Sequence, residues 1–173
     1  LAVPGHAATL RWAAQNDILT LDPHSQNHAT TNAILMHSYE GLTRYSAQYQ
    51  IEPALATKWT FTSPTQVRFE LRRGVKFHDG TPFTADDVVF SIERAQSPSS
   101  NFKTFAVPLG KARAIDDHTV EIVTPRPHPL LLEDLYSIFI MSRAWAIKNR
   151  AAGQSLAIWR AISAQRCCAT PLS

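Results

Sequence analysis

No stretch of about 18 consecutive apolar residues occurs in this 173-residue chain, so no segment is long enough to cross a bilayer as a helix. Cysteine is nearly absent too. The two present, Cys167 and Cys168, are neighbours. Adjacent cysteines bridge only with strain, so a standard structural disulfide between them is not expected, and in an exported chain they would invite intermolecular pairing. Acid is missing from the last 39 residues, whereas residues 1–134 hold all 14 Asp and Glu and 12 of the 17 Lys and Arg. The net charge of +3 therefore arises from Arg143, Lys148, Arg150, Arg160 and Arg166. Arg72 and Arg73 make no patch, since neighbours on a strand point to opposite faces. That distribution does not suit a nucleic-acid partner.

What is present suits one soluble domain with a core, with 45% hydrophobic and 18% charged residues. Residues 71–94 carry most of the information. Val67, Phe69 and Leu71 alternate with Arg68, Glu70 and Arg72, the period of a strand with one buried face. His78-Asp79-Gly80-Thr81-Pro82 then supplies turn chemistry. Thr84 is placed to cap a following helix, with Asp86 and Asp87 where the helix dipole favours negative charge. Val88, Val89, Ile92 and Ala95 give that helix an apolar stripe, and Ser97-Pro98 ends it.

Elsewhere the order is coarser. Residues 9–14 suggest a strand, and Leu21-Asp22-Pro23-His24 a rigid turn, because Pro23 fixes its own φ and biases Asp22 away from helix. A helix is expected over 30–38, stopped at Gly41. Residues 59–62 and 66–72 form one expected hairpin, and 111–115 and 119–123 another. Pro125, Pro127 and Pro129 break structure before the apolar segment 130–135. Composition changes near 135–146. Beyond it the chain is Ala-rich and basic, either a docked or self-associating helix with Ala152, Leu156, Trp159 and Ser163 on one face, or sequence that follows a truncation or frame change. At the other end, Gly5 and Ala7 are spaced as a signal-peptide cleavage site requires, placing a mature start near Ala8.

Reactive constellations are sparse. His78 and Asp79 resemble half of a dyad, but no Ser or Cys is positioned as a nucleophile, and turn bonding accounts for Asp79. No catalytic residue is expected, nor any cofactor. His24 and His28 have one-turn spacing, and with His37 they suggest a metal set, yet no Cys or carboxylate lies near enough in sequence to complete one. Asp116-Asp117 and Glu133-Asp134 fit solvated turn and helix ends.

Residues 71–94, together with Leu21-Asp22-Pro23 and the stretches 39–43 and 53–59, closely resemble the extracytoplasmic solute-binding proteins of peptide and nickel ABC transporters, called family 5. The resemblance covers about residues 9–145. It implies an α/β (mixed α+β) fold, a partial lobe of a periplasmic-binding-protein-like type II architecture with a mixed sheet flanked by helices. It divides the chain into a residual signal-peptide end at 1–8, a partial N-terminal lobe at 9–146, and a basic non-family tail at 147–173. The implied function is capture of peptides or other small solutes outside the cytoplasmic membrane for delivery to an ABC permease, and not catalysis. In that family the segment after the Leu-Asp-Pro turn approaches the ligand cleft, which marks Ser25, Gln26, Asn27, His28, Thr30 and Thr31 as ligand-facing. Their amides and hydroxyls suit peptide backbone groups. Missing partner strands would leave exposed sheet edges and favour homo-oligomers. Two alternatives stand beside this reading: a self-associating or partner-binding module without solute binding, and a nickel-binding protein.

Overall fold

In the computed structural model, Ala13 and residues 16–151 are described. The expectations for residues 1–8, for a strand at 9–14, for the helical face from Ala152 to Ser163 and for Cys167 and Cys168 lie outside the described residues, Ala13 apart.

The alternation of residues 67–71 becomes the centre of the molecule. Strands β3 (Ala56–Ser63), β4 (Gln66–Leu71), β5 (Lys111–Asp116) and β6 (Thr119–Val123) form one sheet in the order β3-β4-β6-β5. Val67, Phe69 and Leu71 are buried while Arg68 and Glu70 face water. Both expected hairpins are present. Pairing among the described residues is antiparallel throughout, where a mixed sheet was expected. For β3–β4 and β5–β6 the reason is local, because each reverses in a two-residue connection that cannot accommodate a parallel crossover.

On the sheet's outer face, Glu121 is fully buried beneath Arg68, 3.0 Å away, and Arg113, whose Nε donates at 2.7 Å. Register explains the grouping, since Arg68 and Arg113 both sit directly opposite Glu121 on the flanking strands. The two outer strands each carry register shifts, and Lys58, Lys111 and Arg113 stand on them. Bulges and charges of this kind discourage edge pairing.

On the inner face lies α2 (Ala85–Ala95). Thr84 is its N-cap, as expected, and shares a capping box with Asp87. The Asp87 carboxylate accepts the Thr84 N–H at 2.9 Å and the Thr84 hydroxyl at 3.2 Å. Val88, Ile92 and Ala95 are fully buried against Val67, Phe69, Val120 and Ile122 in the larger core. The helix also buries Asp87, Ser91 and Arg94, a second side that the apolar stripe did not reveal.

A smaller core occupies that second side, built from Leu35, Tyr39, Phe139, Met141, Trp145, Ala146 and Ala151. Helix α1 (Ala29–Leu35), a ribbon of β1 (Thr43–Tyr45) and β2 (Ile51–Pro53), α3 (Lys103–Ala106), α4 (Leu131–Ser137) and α5 (Arg143–Lys148) surround the two cores. The extended residues 138–141 divide them: Ile138 and Ile140 enter the larger core, Phe139 and Met141 the smaller. Helix α5 and the buried Ala151 run across the boundary placed at 146–147 on sequence. At Gly41 an added Cβ would lie 2.9 Å from the Leu135 carbonyl oxygen and 3.1 Å from that of Tyr136. The helical pattern of residues 30–38 does end before this glycine, with Leu35 as the last α1 residue.

Candidate functional site

The Leu21-Asp22-Pro23-His24 turn is held more firmly than turn chemistry alone requires. Asp22 N–H donates to Thr20 Oγ1 and His24 N–H to Asp22 Oδ1, both at 3.0 Å. From α2, Arg94 grips the Asp22 carboxylate with two nitrogens, Nη1 at 2.8 Å and Nη2 at 2.7 Å. Both side chains are almost wholly buried, at 1% and 2% exposure. A planar guanidinium matches a carboxylate in this two-pronged geometry. Arg94 Nη1 also lies 3.0 Å from His24 Nδ1, and Arg94 Nε donates to the Ala151 carbonyl at 3.2 Å.

His24 faces inward. Its Nε2 lies 2.9 Å from the Phe139 carbonyl oxygen, which accepts only, so that nitrogen carries the proton and Nδ1 accepts from Arg94. Burial disfavours the imidazolium and the Arg94 charge adds to the effect, lowering the pKa from 6.5 to about 4. With both nitrogens engaged, His24 has no lone pair to offer a metal. The spacing with His28 does not become a helical pair either, because Pro23 sets a turn and the helix begins only at Ala29. His37 is exposed with Nδ1 2.8 Å from the Ala33 carbonyl. Among the described residues, no three His, Cys, Asp or Glu side chains gather into a metal-binding group.

The residues after the turn separate into two kinds. Gln26 and Asn27 are exposed, and Thr30 is half-buried on the first turn of α1. Asn27 Oδ1 accepts from Asn32 Nδ2 at 2.9 Å, while His28 occupies the N-cap position of α1. His28 Nδ1 and Asn32 Oδ1 are buried without a hydrogen-bond partner, so this corner retains unspent polar capacity. Ser25 and Thr31, in contrast, face the protein. The Ser25 hydroxyl lies 3.5 Å from the Asp22 carbonyl, and Thr31 is fully buried with Oγ1 accepting Leu19 N–H at 3.2 Å.

Sequence reasoning missed the neighbour of this turn. Asn101 N–H and the Ser100 hydroxyl both donate to the His24 carbonyl at 3.2 Å, and the Asn101 side-chain amide donates to the Ser25 carbonyl. The exposed Asn101 and the exposed Lys103 that opens α3 thus adjoin the turn in the fold, although some 75 residues separate them in sequence. Nothing local in residues 97–103 signals this contact. A groove of about 270 Å³ does exist, but elsewhere, lined by Tyr39, Gly41, Tyr45, Tyr136 and Phe139 among others. None of the ligand-facing candidates lines it.

His78 and Asp79 sit on an exposed turn, where Asp79 Oδ1 accepts the Thr81 N–H at 3.0 Å and its hydroxyl at 2.6 Å. That is the structural work of an Asx turn.

Residues 50–156 match the family described as bacterial extracellular solute-binding proteins, family 5 Middle, a span that passes the break expected near 146. The glutathione-binding protein GsiB of Escherichia coli strain K12 is 30% identical over 118 residues, covering 66% of this chain and 23% of that protein. Among solved structures, OppA of Burkholderia pseudomallei superposes with a TM-score of 0.69 at 28% identity, covering 76% of this chain and 30% of that one. NikZ of Campylobacter jejuni, solved with Ni(L-His), gives 0.71 at 26% identity, covering 81% and 28%. The chain therefore spans less than a third of each of these proteins. Because the family model matches more than half of the chain, the chain belongs to the bacterial extracellular solute-binding proteins of family 5.

Proposed function

We propose that this chain supplies part of the substrate-binding component of an ABC-type importer for peptides or related small solutes, acting outside the cytoplasmic membrane and handing its ligand to a membrane permease. The observation that carries the reading is the set of polar residues Gln26, Asn27, His28 and Thr30, the first two exposed and the others half-buried at the start of α1, mounted on the buried Asp22–Arg94–His24 network. Binding favours polar groups held by a rigid frame, because little ordering is left to occur when the ligand arrives. Gln26, Asn27, His28 and Thr30 are the ligand-facing members, with Asn101 beside them, while Ser25 and Thr31 brace the turn from within. Capture without chemical change is the role that the kinship with extracellular solute-binding proteins supports.

These 173 residues correspond to less than a third of each relative, and tested by themselves they are expected to bind weakly. Amide chemical-shift mapping with glutathione and with short peptides tests the proposal. Shifts confined to residues 25–31 and 100–103, at millimolar ligand, are the expected result. Shifts centred instead on Tyr45 and Tyr136 would overturn the placement, and micromolar binding by titration calorimetry would overturn the expected weakness.

A further inference from the structure

Two distant parts of the chain share one guanidinium. Arg94 bonds the Asp22 carboxylate through both terminal nitrogens and the Ala151 carbonyl through Nε. His24, also bonded to Arg94, returns to the Phe139 carbonyl, and the His24 carbonyl is held by Ser100 and Asn101. Asp22, His24, Arg94 and Ala151 are all buried. We infer that Arg94 is a coupling clasp, through which the turn at residues 22–28 and the segment closing at Ala151 open and shut as one unit.

The physical basis is the cost of a partial opening. If residues 22–24 leave, Arg94 remains as a buried cation without its carboxylate, which is strongly unfavourable. If the Ala151 segment leaves, water reaches the guanidinium, and the buried ion pair that holds the turn loses its apolar cover, for Ala151 belongs to the smaller core with Trp145 and Ala146. Neither segment can leave cheaply alone. A ligand seated on the turn would thereby bias the position of the chain at Ala151, and the reverse follows by linkage. The functional meaning of the clasp rests on the reading of residues 26–30 as ligand surface, whereas its existence does not.

Hydrogen exchange on the whole chain tests it. His24 N–H, bonded to Asp22, and Ala151 N–H, bonded to Ala146 at 2.7 Å, report the two ends. In the unmodified protein their protection factors are expected to agree within about threefold and to lie below those of β4 and β6, as for one sub-global opening. Arg94→Lys keeps a cation for Asp22 but lacks the fork needed to reach Asp22, His24 and Ala151 together. It is expected to separate the two protection factors by about tenfold or more, Ala151 exchanging faster, with β4 and β6 unchanged. Unequal protection in the unmodified protein would overturn the clasp even if the variant does not fold, and so would an Arg94→Lys protein in which both ends still move together. Coupled exchange without peptide-induced shifts removes the ligand reading and leaves the clasp standing; peptide-induced shifts without coupled exchange do the opposite.

Discussion

The two buried sides of α2 are held by different forces. Toward the sheet, Val88, Ile92 and Ala95 meet Val67, Phe69, Val120 and Ile122, and no polar partner has to be found. Away from the sheet, Asp87, Ser91 and Arg94 each bind a piece of main chain. Asp87 accepts the Arg143 N–H at 2.8 Å, Ser91 Oγ accepts the Met141 N–H at 3.0 Å, and Arg94 takes the Ala151 carbonyl at 3.2 Å. These residues, three or four apart, share one helical stripe. Apolar contact is non-directional and tolerates repacking, whereas polar contact fixes geometry and fails when one partner is removed. One side of the helix thus builds stability, and the other sets where the 139–151 segment and the N-terminal turn lie.

Substitutions can separate the two. The largest effect belongs to the sheet side, where Phe69→Ala at a fully buried position is expected to cost about 3–5 kcal/mol. The loss should appear in the urea midpoint with every segment unfolding together; survival of a folded sheet at nearly unchanged midpoint would contradict the division. Acid acts on the other side. Because the folded protein holds the His24 pKa near 4 against 6.5 for the free group, the unfolded chain takes up a proton that the folded chain refuses as pH drops through 6.5. This group leaves stability untouched above that pH. It removes on the order of 3 kcal/mol between about pH 6.5 and 4, and nothing further below. Urea titrations at pH 7.0, 5.5 and 4.5 should show the decline, and His24→Gln should flatten it; an equal slope in the variant would clear His24 of the effect. Smallest is Ser142→Ala, which removes the hydroxyl that accepts Trp145 N–H at 3.1 Å at the start of α5. A loss of about 1 kcal/mol is expected, with exchange faster in α5 and unchanged in the sheet, and uniform acceleration would show that the two sides are not separable.

Legibility followed the same division. The strand alternation at 67–71, both hairpins and the Val88–Ile92–Ala95 stripe could be read because burial imposes a period on apolar residues. The polar side had no such signature. From sequence alone Asp87 reads as a charge favoured by the helix dipole, His24 as a member of a metal set, and Arg94 draws no role of its own, since sequence does not reveal which polar side chains the fold will enclose. The turn proposed to face ligand was marked through family resemblance alone, and its neighbour at Ser100 and Asn101 escaped notice because the contact spans some 75 residues. Thr31 and Ser25 have the chemistry of ligand contacts, yet they bond inward.

Gly41 lies between Tyr39 of the smaller core and Leu42 of the larger, and two backbone oxygens of α4 occupy the space that a Cβ there would need, at the distances given above. Neither oxygen is the tip of a yielding side chain, so even alanine there would act as a wedge. Driven between α4 and the chain entering β1, a single methyl group would push Leu135 away from Leu42 and so loosen the larger core without altering any of its side chains.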